Sequence, residues 1–394
     1  MAPELRIALF SGNYNYVRDG ANQALNRLVG YLLRQGAAVR IYSPVVEHPA
    51  FPPTGDLVGV PSFAIPGRAE YRVPFALRGP VRRDLEAFAP NVIHVASPDI
   101  VAHRAVSWAR RRGIPVVGSV HTRFETYLQY YGLRWAEPGV RAILRRFYRR
   151  CDAIVAPAES TAAILRAQRM SRDISIWSRG IDRDQFNPGR RSLEWRRSLG
   201  IDDNELAVAF LGRVVMEKGL DVFAGAIRAA EALGTRPRVL VIGDGPAMPW
   251  FKANLLDNAV FAGHLTGVEL ARALASADVF LNPSITEAFG NVTLEAMASG
   301  LPVIAAAATG ANSLVEDGVS GTLVDPDEIE EFGAAIARYA ADPAIRARHA
   351  AAGVASAATR DWDEINAAVV KTYRRVIARR ERLRARFGER ARVA

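Results

Sequence analysis

Thr286-Glu-Ala-Phe-Gly-Asn-Val-Thr-Leu-Glu-Ala-Met-Ala-Ser-Gly-Leu-Pro302 is the stretch whose reading organises the rest of the chain. It follows an apolar run. Gly290-Asn291 reads as a helix start, Leu294 to Ala298 are helix-compatible, and Gly300 with Pro302 is a stop signal. Free N–H groups at such a start point at whatever lies in front of the preceding strand, and the helix dipole favours an anion there. Asn291 and Glu295 are i and i+4 on that helix and share a face, while Glu287 approaches from the loop before it. Acids that can hold hydroxyls therefore flank amides that can hold phosphate, which is the mixture a nucleotide-sugar requires. In isolation the pair would be ordinary surface acids beside a helix cap. The neighbouring residues change that reading.

Phe210-Leu-Gly-Arg-Val-Val-Met-Glu-Lys-Gly219 is the second signal. A strand ends at a glycine turn, Arg213 follows at once, and Lys218 comes at the expected start of the next helix. Arginine suits bidentate phosphate contacts and lysine acts as a compact point charge. Val241-Ile-Gly-Asp-Gly-Pro246 is a strand with a tight glycine turn, which a strand-to-helix connection explains structurally. Together the E-x7-E stretch, the Gly212-Arg213…Lys218-Gly219 element and this turn resemble the large retaining glycosyltransferase family (glycosyltransferase family 4) that includes sucrose synthases, sulfoquinovosyl-diacylglycerol synthases and many bacterial mannosyltransferases.

The resemblance implies the GT-B fold, with two Rossmann-like doubly wound α/β domains facing across a cleft. It implies that Glu287 holds donor hexose hydroxyls, that Glu295 holds ribose hydroxyls, and that Arg213, Lys218, Gly290 and Asn291 hold the diphosphate, with Phe289 and Val292 in the same binding stretch. Gly263-His264-Leu265 matches the loop whose backbone brackets the nucleotide base, and Gly20 matches the glycine near the first helix start that approaches the diphosphate. Asp19 stands where many relatives carry a second glycine. His121 follows the apolar run 116–120 and matches a histidine that contacts the donor sugar. The run from His121 to Gly132 is similar to the subgroup of sulfoquinovosyl-diacylglycerol synthases and glycolipid mannosyltransferases. Tyr14, Tyr16 and Arg18 are expected on the acceptor side. Retaining members are thought to react on the front face, so neither glutamate is expected to be a nucleophile. No metal or other cofactor is expected, since cationic side chains and a helix terminus stand in at the leaving group.

The chain has 394 residues, enough for two domains with full cores. Cys151 is the only cysteine, which excludes an intramolecular disulfide and fits a reducing compartment. The amino end reads as a first strand, not a signal peptide, and no stretch approaches the roughly 20 apolar residues of a membrane span. There is no zinc cluster, P-loop or G-x-S-x-G elbow, and no nucleic-acid-binding signature. Net charge is +10, of which the segment from Lys371 onward carries ten basic residues against two acids. Such a tail is either a solvated helix or a patch for an anionic membrane. Arg141, Arg145, Arg146, Arg149 and Arg150 on one expected helix, and Arg78, Arg82 and Arg83, add basic faces.

Short apolar runs alternate with helix-compatible stretches throughout, which marks parallel sheets whose ligands sit beyond the carboxyl ends of the strands. A Gly- and Pro-containing break at 178–189 separates an acceptor-binding domain at 1–180 from a nucleotide-sugar domain at 190–361, and a last helix at 362–394 is expected to cross back to the first. The expected activity is hexose transfer from a UDP- or GDP-linked sugar to a membrane lipid, by a cytoplasmic protein peripheral to the membrane. A soluble or polyprenyl-linked saccharide acceptor is the alternative, followed by a nucleotide-sugar 2-epimerase or a non-catalytic nucleotide-sugar binder. The oligomeric state is not legible.

Overall fold

The structure is a computed structural model that describes residues 4–17, 19–65, 68–121, 132 and 134–393. Arg18 and most of the aromatic run after His121 lie outside the described residues. The chain divides into two compact units, and the described residues of the first fall within Met1–Thr122, Trp135–Ser178 and Trp362–Ala394.

In the first unit, strands β1 (Arg6–Phe10), β2 (Ala38–Ser43), β3 (Asp56–Gly59), β6 (Val92–Val95), β7 (Val116–Ser119), β8 (Ala153–Ala156) and β9 (Ile174–Ile176) form one sheet. Their order is β3-β2-β1-β6-β7-β8-β9, and every pairing is parallel. Both faces are covered, so the inner strands read as unbroken apolar runs. Period-two geometry splits β1 between two cores: Ala8 and Phe10 pack with Trp108 and Phe147, while Ile7 and Leu9 pack with Leu28, Trp177 and Tyr373. Helices Gly20–Arg34 and Ile100–Arg112 begin at Asp19 and Asp99, whose side chains accept from Asn22 N and Ala102 N. Two features were absent from the sequence reading. These are edge strand β3, which is short and half-exposed and so carries little hydrophobic pattern, and an antiparallel pair outside the sheet, β4 (Ser62–Ile65) and β5 (Arg68–Pro74).

Helix Trp362–Val393 packs on this first unit. Val369, Tyr373, Val376 and Ile377 are buried in its core, and burial of large apolar side chains is worth about 1.5–3 kcal/mol each. The basic tail is consequently less free than its composition implied. Arg375 pairs with Asp173 at 2.6 Å, Arg380 pairs with Asp152 at 2.6 Å, and Arg384 donates to the Arg112 carbonyl at 2.7 Å.

The second unit, mainly Arg179–Asp361, is built on β10 (Ala207–Leu211), β11 (Arg238–Ile242), β12 (Val260–Gly263), β13 (Val279–Asn282), β14 (Val303–Ala306) and β15 (Gly321–Val324). The order β12-β11-β10-β13-β14-β15 is again parallel throughout. Phe210, Phe223 and Phe251 meet edge to face in its core with centroids 5.3–5.6 Å apart. In both sheets the chain winds one way and then the other. The resulting switch points lie between β1 and β6 and between β10 and β13, where ligands of such sheets bind.

Candidate active site

The two strongest sequence signals leave the second sheet on either side of its switch point. Arg213 and Lys218 follow β10, and Glu287 through Glu295 follow β13, its hydrogen-bonded neighbour. Lys218 lies in a 3-10 turn, Met216–Lys218, ahead of the helix that starts at Leu220, rather than at the helix start itself. That turn is tied to the other loop at two adjacent points. Thr286 Oγ1 donates to the Glu217 carbonyl at 3.1 Å, and Lys218 Nζ meets Glu287 Oε1 at 2.8 Å. Glu287 is only 10% exposed, so this pair is largely shielded from solvent screening. Nothing in the sequence around Thr286 singled out its role as a tie.

Helix Asn291–Ala298 enters through Gly290 in the left-handed conformation, φ 95°. Its first turn, with Asn291 and Val292, presents N–H groups that have no carbonyl ahead of them in the helix. Thr293 is held from behind, accepting a 3.0 Å bond from Asn282 Nδ2. Asn291 Oδ1 is buried with no hydrogen-bond partner. That oxygen is an acceptor and as placed suits a hydroxyl; a half-turn of the amide would present its NH2 to phosphate. Burial first, and then the negative charge of Glu287, pushes the Glu295 carboxyl up to about 8, so it is mainly protonated at pH 7. Phe289 is 5% exposed with the Arg360 guanidinium 5.8 Å from its ring, which leaves its main chain as the part able to face a ligand.

The glycine turns interlock. Gly212 N donates to the Ile242 carbonyl, Val214 N to the Asp244 carbonyl and Gly243 N to the Gly263 carbonyl, all within 2.8–3.0 Å. This ladder aligns the ends of β10, β11 and β12, so that Arg213 and the Gly263-His264-Leu265 loop leave the same edge of the sheet. Arg213 and His264 are exposed there, and Leu265 is half-buried.

In the first unit, Gly20 is the opening residue of helix Gly20–Arg34, and Asp19 is its cap. A carboxylate thus occupies the helix start where a second glycine was the family pattern. Tyr14 and Tyr16 do not line an open surface. Both are buried, their hydroxyls donating to the carbonyls of Thr54 and Gly12 at 2.7 and 2.6 Å, and the Tyr14 ring is part of the core beneath the loop. His121 stands just past the end of β7, half-buried, with Nε2 2.8 Å from Ser119 Oγ and its ring 5.4 Å from that of Trp177.

Comparison with known proteins gives the family and the fold. A family model described as Glycosyltransferase Family 4 matches residues 18–185, and one described as Glycosyl transferases group 1 matches residues 205–342. A GDP-mannose-dependent alpha-mannosyltransferase of Mycolicibacterium smegmatis is 31% identical over 95% of this chain and 99% of its own. Sulfoquinovosyl transferase SQD2 of Arabidopsis thaliana is 32% identical over 83% of this chain, but the alignment spans 65% of the plant protein. Among solved structures, a sucrose-phosphate synthase from Thermosynechococcus elongatus superposes with a TM-score of 0.75 at 21% identity, covering 95% of this chain and 100% of that one. The chain therefore belongs to glycosyltransferase family 4 and has the GT-B type of fold, two Rossmann-like units each built on a parallel sheet.

Proposed function

We propose that the chain transfers a hexose from a UDP- or GDP-linked sugar to a hydroxyl of a membrane lipid, with retention of anomeric configuration, making a glycolipid. The observation that carries the donor half of this reading is the Lys218–Glu287 pair at the switch point, with the Asn291 helix start and Glu295 beside it. Each charge in the pair has a partner of the right sign on a nucleotide-sugar. Lys218, with Arg213 and the N–H groups of Gly290 to Val292, takes the diphosphate. Released from Lys218, Glu287 takes hexose hydroxyls. Glu295 with Asn291 takes the ribose hydroxyls, and the main chain of Gly263 to Leu265 takes the base. Gly20 and His121 are assigned to diphosphate and hexose from the resemblance.

Charge build-up on the departing diphosphate is then met by fixed cations and helix-terminal amides, and the catalytic gain is electrostatic and orientational. The reading requires no resident metal. It also makes neither glutamate a nucleophile, so a trapped glycosyl-Glu287 adduct would contradict it.

The lipid half rests on the likeness of the run after His121 to glycolipid-forming members and on an exposed basic surface. Helix Glu137–Tyr148 and the residue after it expose Arg145, Arg146 and Arg149, with Ile143 60% exposed and Trp135, just before the helix, 79% exposed. Arg141 pairs with Glu137 and Arg150 donates to Ser107, so they contribute less than the sequence implied. Each basic residue near anionic lipid is worth about 1 kcal/mol. Among the described residues no helix is long and apolar enough to cross a membrane.

The test is product analysis with a panel of UDP- and GDP-sugars, offering diacylglycerol in anionic vesicles or a soluble saccharide as acceptor. A retained-configuration glycolipid is expected. Transfer to the saccharide alone would replace the lipid acceptor, and interconversion of the nucleotide-sugar without transfer would replace the whole reading by an epimerase.

A further inference from the structure

A line of hydrogen bonds runs beneath His121 within the first unit. Its Nε2 meets Ser119 Oγ at 2.8 Å, Ser119 Oγ meets His94 Nε2 at 2.8 Å, and His94 Nδ1 meets the hydroxyl of Tyr373 at 2.5 Å. Ser119 and His94 come from β7 and β6, and Tyr373 comes from helix Trp362–Val393. His94 and Tyr373 are fully buried and Ser119 is 1% exposed, so solvent cannot exchange partners along the line. Trp177 walls it from the side, with its ring 5.4 Å from His121 and 6.0 Å from His94.

Each bond has one proton, and that fixes the direction of all three. Burial pushes the Tyr373 hydroxyl above its usual range and the His94 imidazole down to about 3, so both are neutral at working pH. His94 is the hydrogen-bond partner of the Tyr373 hydroxyl; were that hydroxyl only an acceptor, its buried proton would be unmatched. Tyr373 therefore donates to His94 Nδ1. A neutral imidazole that accepts at Nδ1 carries its proton on Nε2 and donates from it, here to Ser119 Oγ. The Ser119 proton then remains for His121 Nε2.

We propose that Tyr373, His94 and Ser119 are positioning residues that hold the ring proton of His121 on Nδ1, so that this ring presents a hydrogen-bond donor to sugar oxygens and does not serve as the base that removes the acceptor proton. The role toward sugar rests on the reading of His121 given under Proposed function; the location of the proton does not. The C-terminal helix thereby contributes to the site through one hydroxyl, although none of its residues is among the family motifs.

The experiment is 15N NMR of histidine-labelled full-length protein, with His121→Gln used to assign the signal. The same spectra and donor kinetics are taken for Tyr373→Phe and Ser119→Ala, and thermal unfolding checks that each variant is folded. The wild type is expected to show a protonated Nδ1 and bare Nε2 at His121. Both variants should move the ring toward a tautomer mixture and lower kcat/KM for the nucleotide-sugar several-fold while remaining folded, with unfolding midpoints lowered by several degrees because each leaves a buried partner unmatched. A proton on Nε2 in the wild type, or unchanged His121 signals in both variants, overturns the proposal. Should the tautomer move as expected while His121→Gln transfers sugar at the wild-type rate, the donor-sugar reading of His121 is wrong and the proton assignment stands.

Discussion

The two switch points share a topology and differ in chemistry. Between β10 and β13 the loops are joined by charge: Lys218 to Glu287 at 2.8 Å, with a second carboxyl, Glu295, raised to about 8 alongside. Between β1 and β6 the loops are joined by neutral donors and an acid already occupied. Gly12 N donates to Ser97 Oγ at 2.9 Å, Ser97 Oγ donates to Asp99 at 2.6 Å, and Asp99 also caps helix Ile100–Arg112. One sheet end joins its loops with ionised groups for which a charged ligand can compete, and the other has used neutral donors and a capping acid to build itself. A parallel doubly wound sheet supplies the place for a ligand, and the loop residues decide whether anything charged is held there.

The largest effect that separates the two is structural. Gly243, at φ 140°, sits so close to the first glycine turn that a Cβ would lie 1.9 Å from the Gly212 carbonyl oxygen. Gly243→Ala should cost more than about 4 kcal/mol and unfold the second unit, as followed by thermal denaturation. At Gly12 a Cβ would meet side-chain oxygens of Asp99 and Ser97 at 3.0 and 3.1 Å, which can shift, so Gly12→Ala should cost about 1 kcal/mol. Equal losses would remove the contrast between a rigid and an adjustable turn.

Next comes charge. Lys218→Ala should lower kcat by roughly 10²–10³-fold, the range found when one preorganised donor to a developing anion is lost. It also strands Glu287, so the double variant Lys218→Ala/Glu287→Gln serves as the control. That variant should regain thermal stability without regaining transfer. Recovery of transfer would make the pair a structural tie and nothing more.

The effect that is smallest per pH unit is a slope in stability. Glu295 keeps its proton to about pH 8 when folded but releases it near 4.5 when unfolded. The folded state therefore binds more protons in that window, and stability falls as pH rises through it, by up to about 1.4 kcal/mol per unit. Glu295→Gln should flatten this part of the stability profile. Nucleotide-sugar affinity should show the opposite dependence, rising from pH 7 to 8.5 in the wild type relative to the Gln variant, because the carboxylate is the better acceptor for ribose hydroxyls. Parallel profiles for the two proteins would mean that Glu295 is not at the ribose.

Most of this contrast was legible in the sequence on one side and little of it on the other. Glycines at strand ends and charged residues at fixed offsets from them gave the second switch point, since both follow from local geometry: Gly212-Arg213, Gly243 and Gly290-Asn291 each sit where the chain has to turn. The first unit hid its reasons. Tyr14 and Tyr16 looked like acceptor-lining aromatics because a sequence does not show whether a loop ring points in or out, and the structure buries both. His94 and Tyr373 are 279 residues apart and carry no motif, so their bond could not be read before the fold was known. Strand β3 escaped because an exposed edge lacks hydrophobic period, and the β4–β5 pair because it stands outside the parallel sheet that the alternation of runs and helices announces. The charge of the basic tail is plain in the sequence, but its ion pairs with Asp152 and Asp173 depend on where the helix returns.

The central claim is that the charged switch point of the second unit holds the donor. Equilibrium titration of the full-length chain and of its Arg213→Ala/Lys218→Ala variant with UDP and GDP, by calorimetry, tests it most directly. The wild type should bind one of the two nucleotides, and the variant should bind it at least about 100-fold more weakly, the loss of two charge-assisted phosphate contacts. Equal affinity in the wild type and a folded variant would place the nucleotide elsewhere and contradict the account.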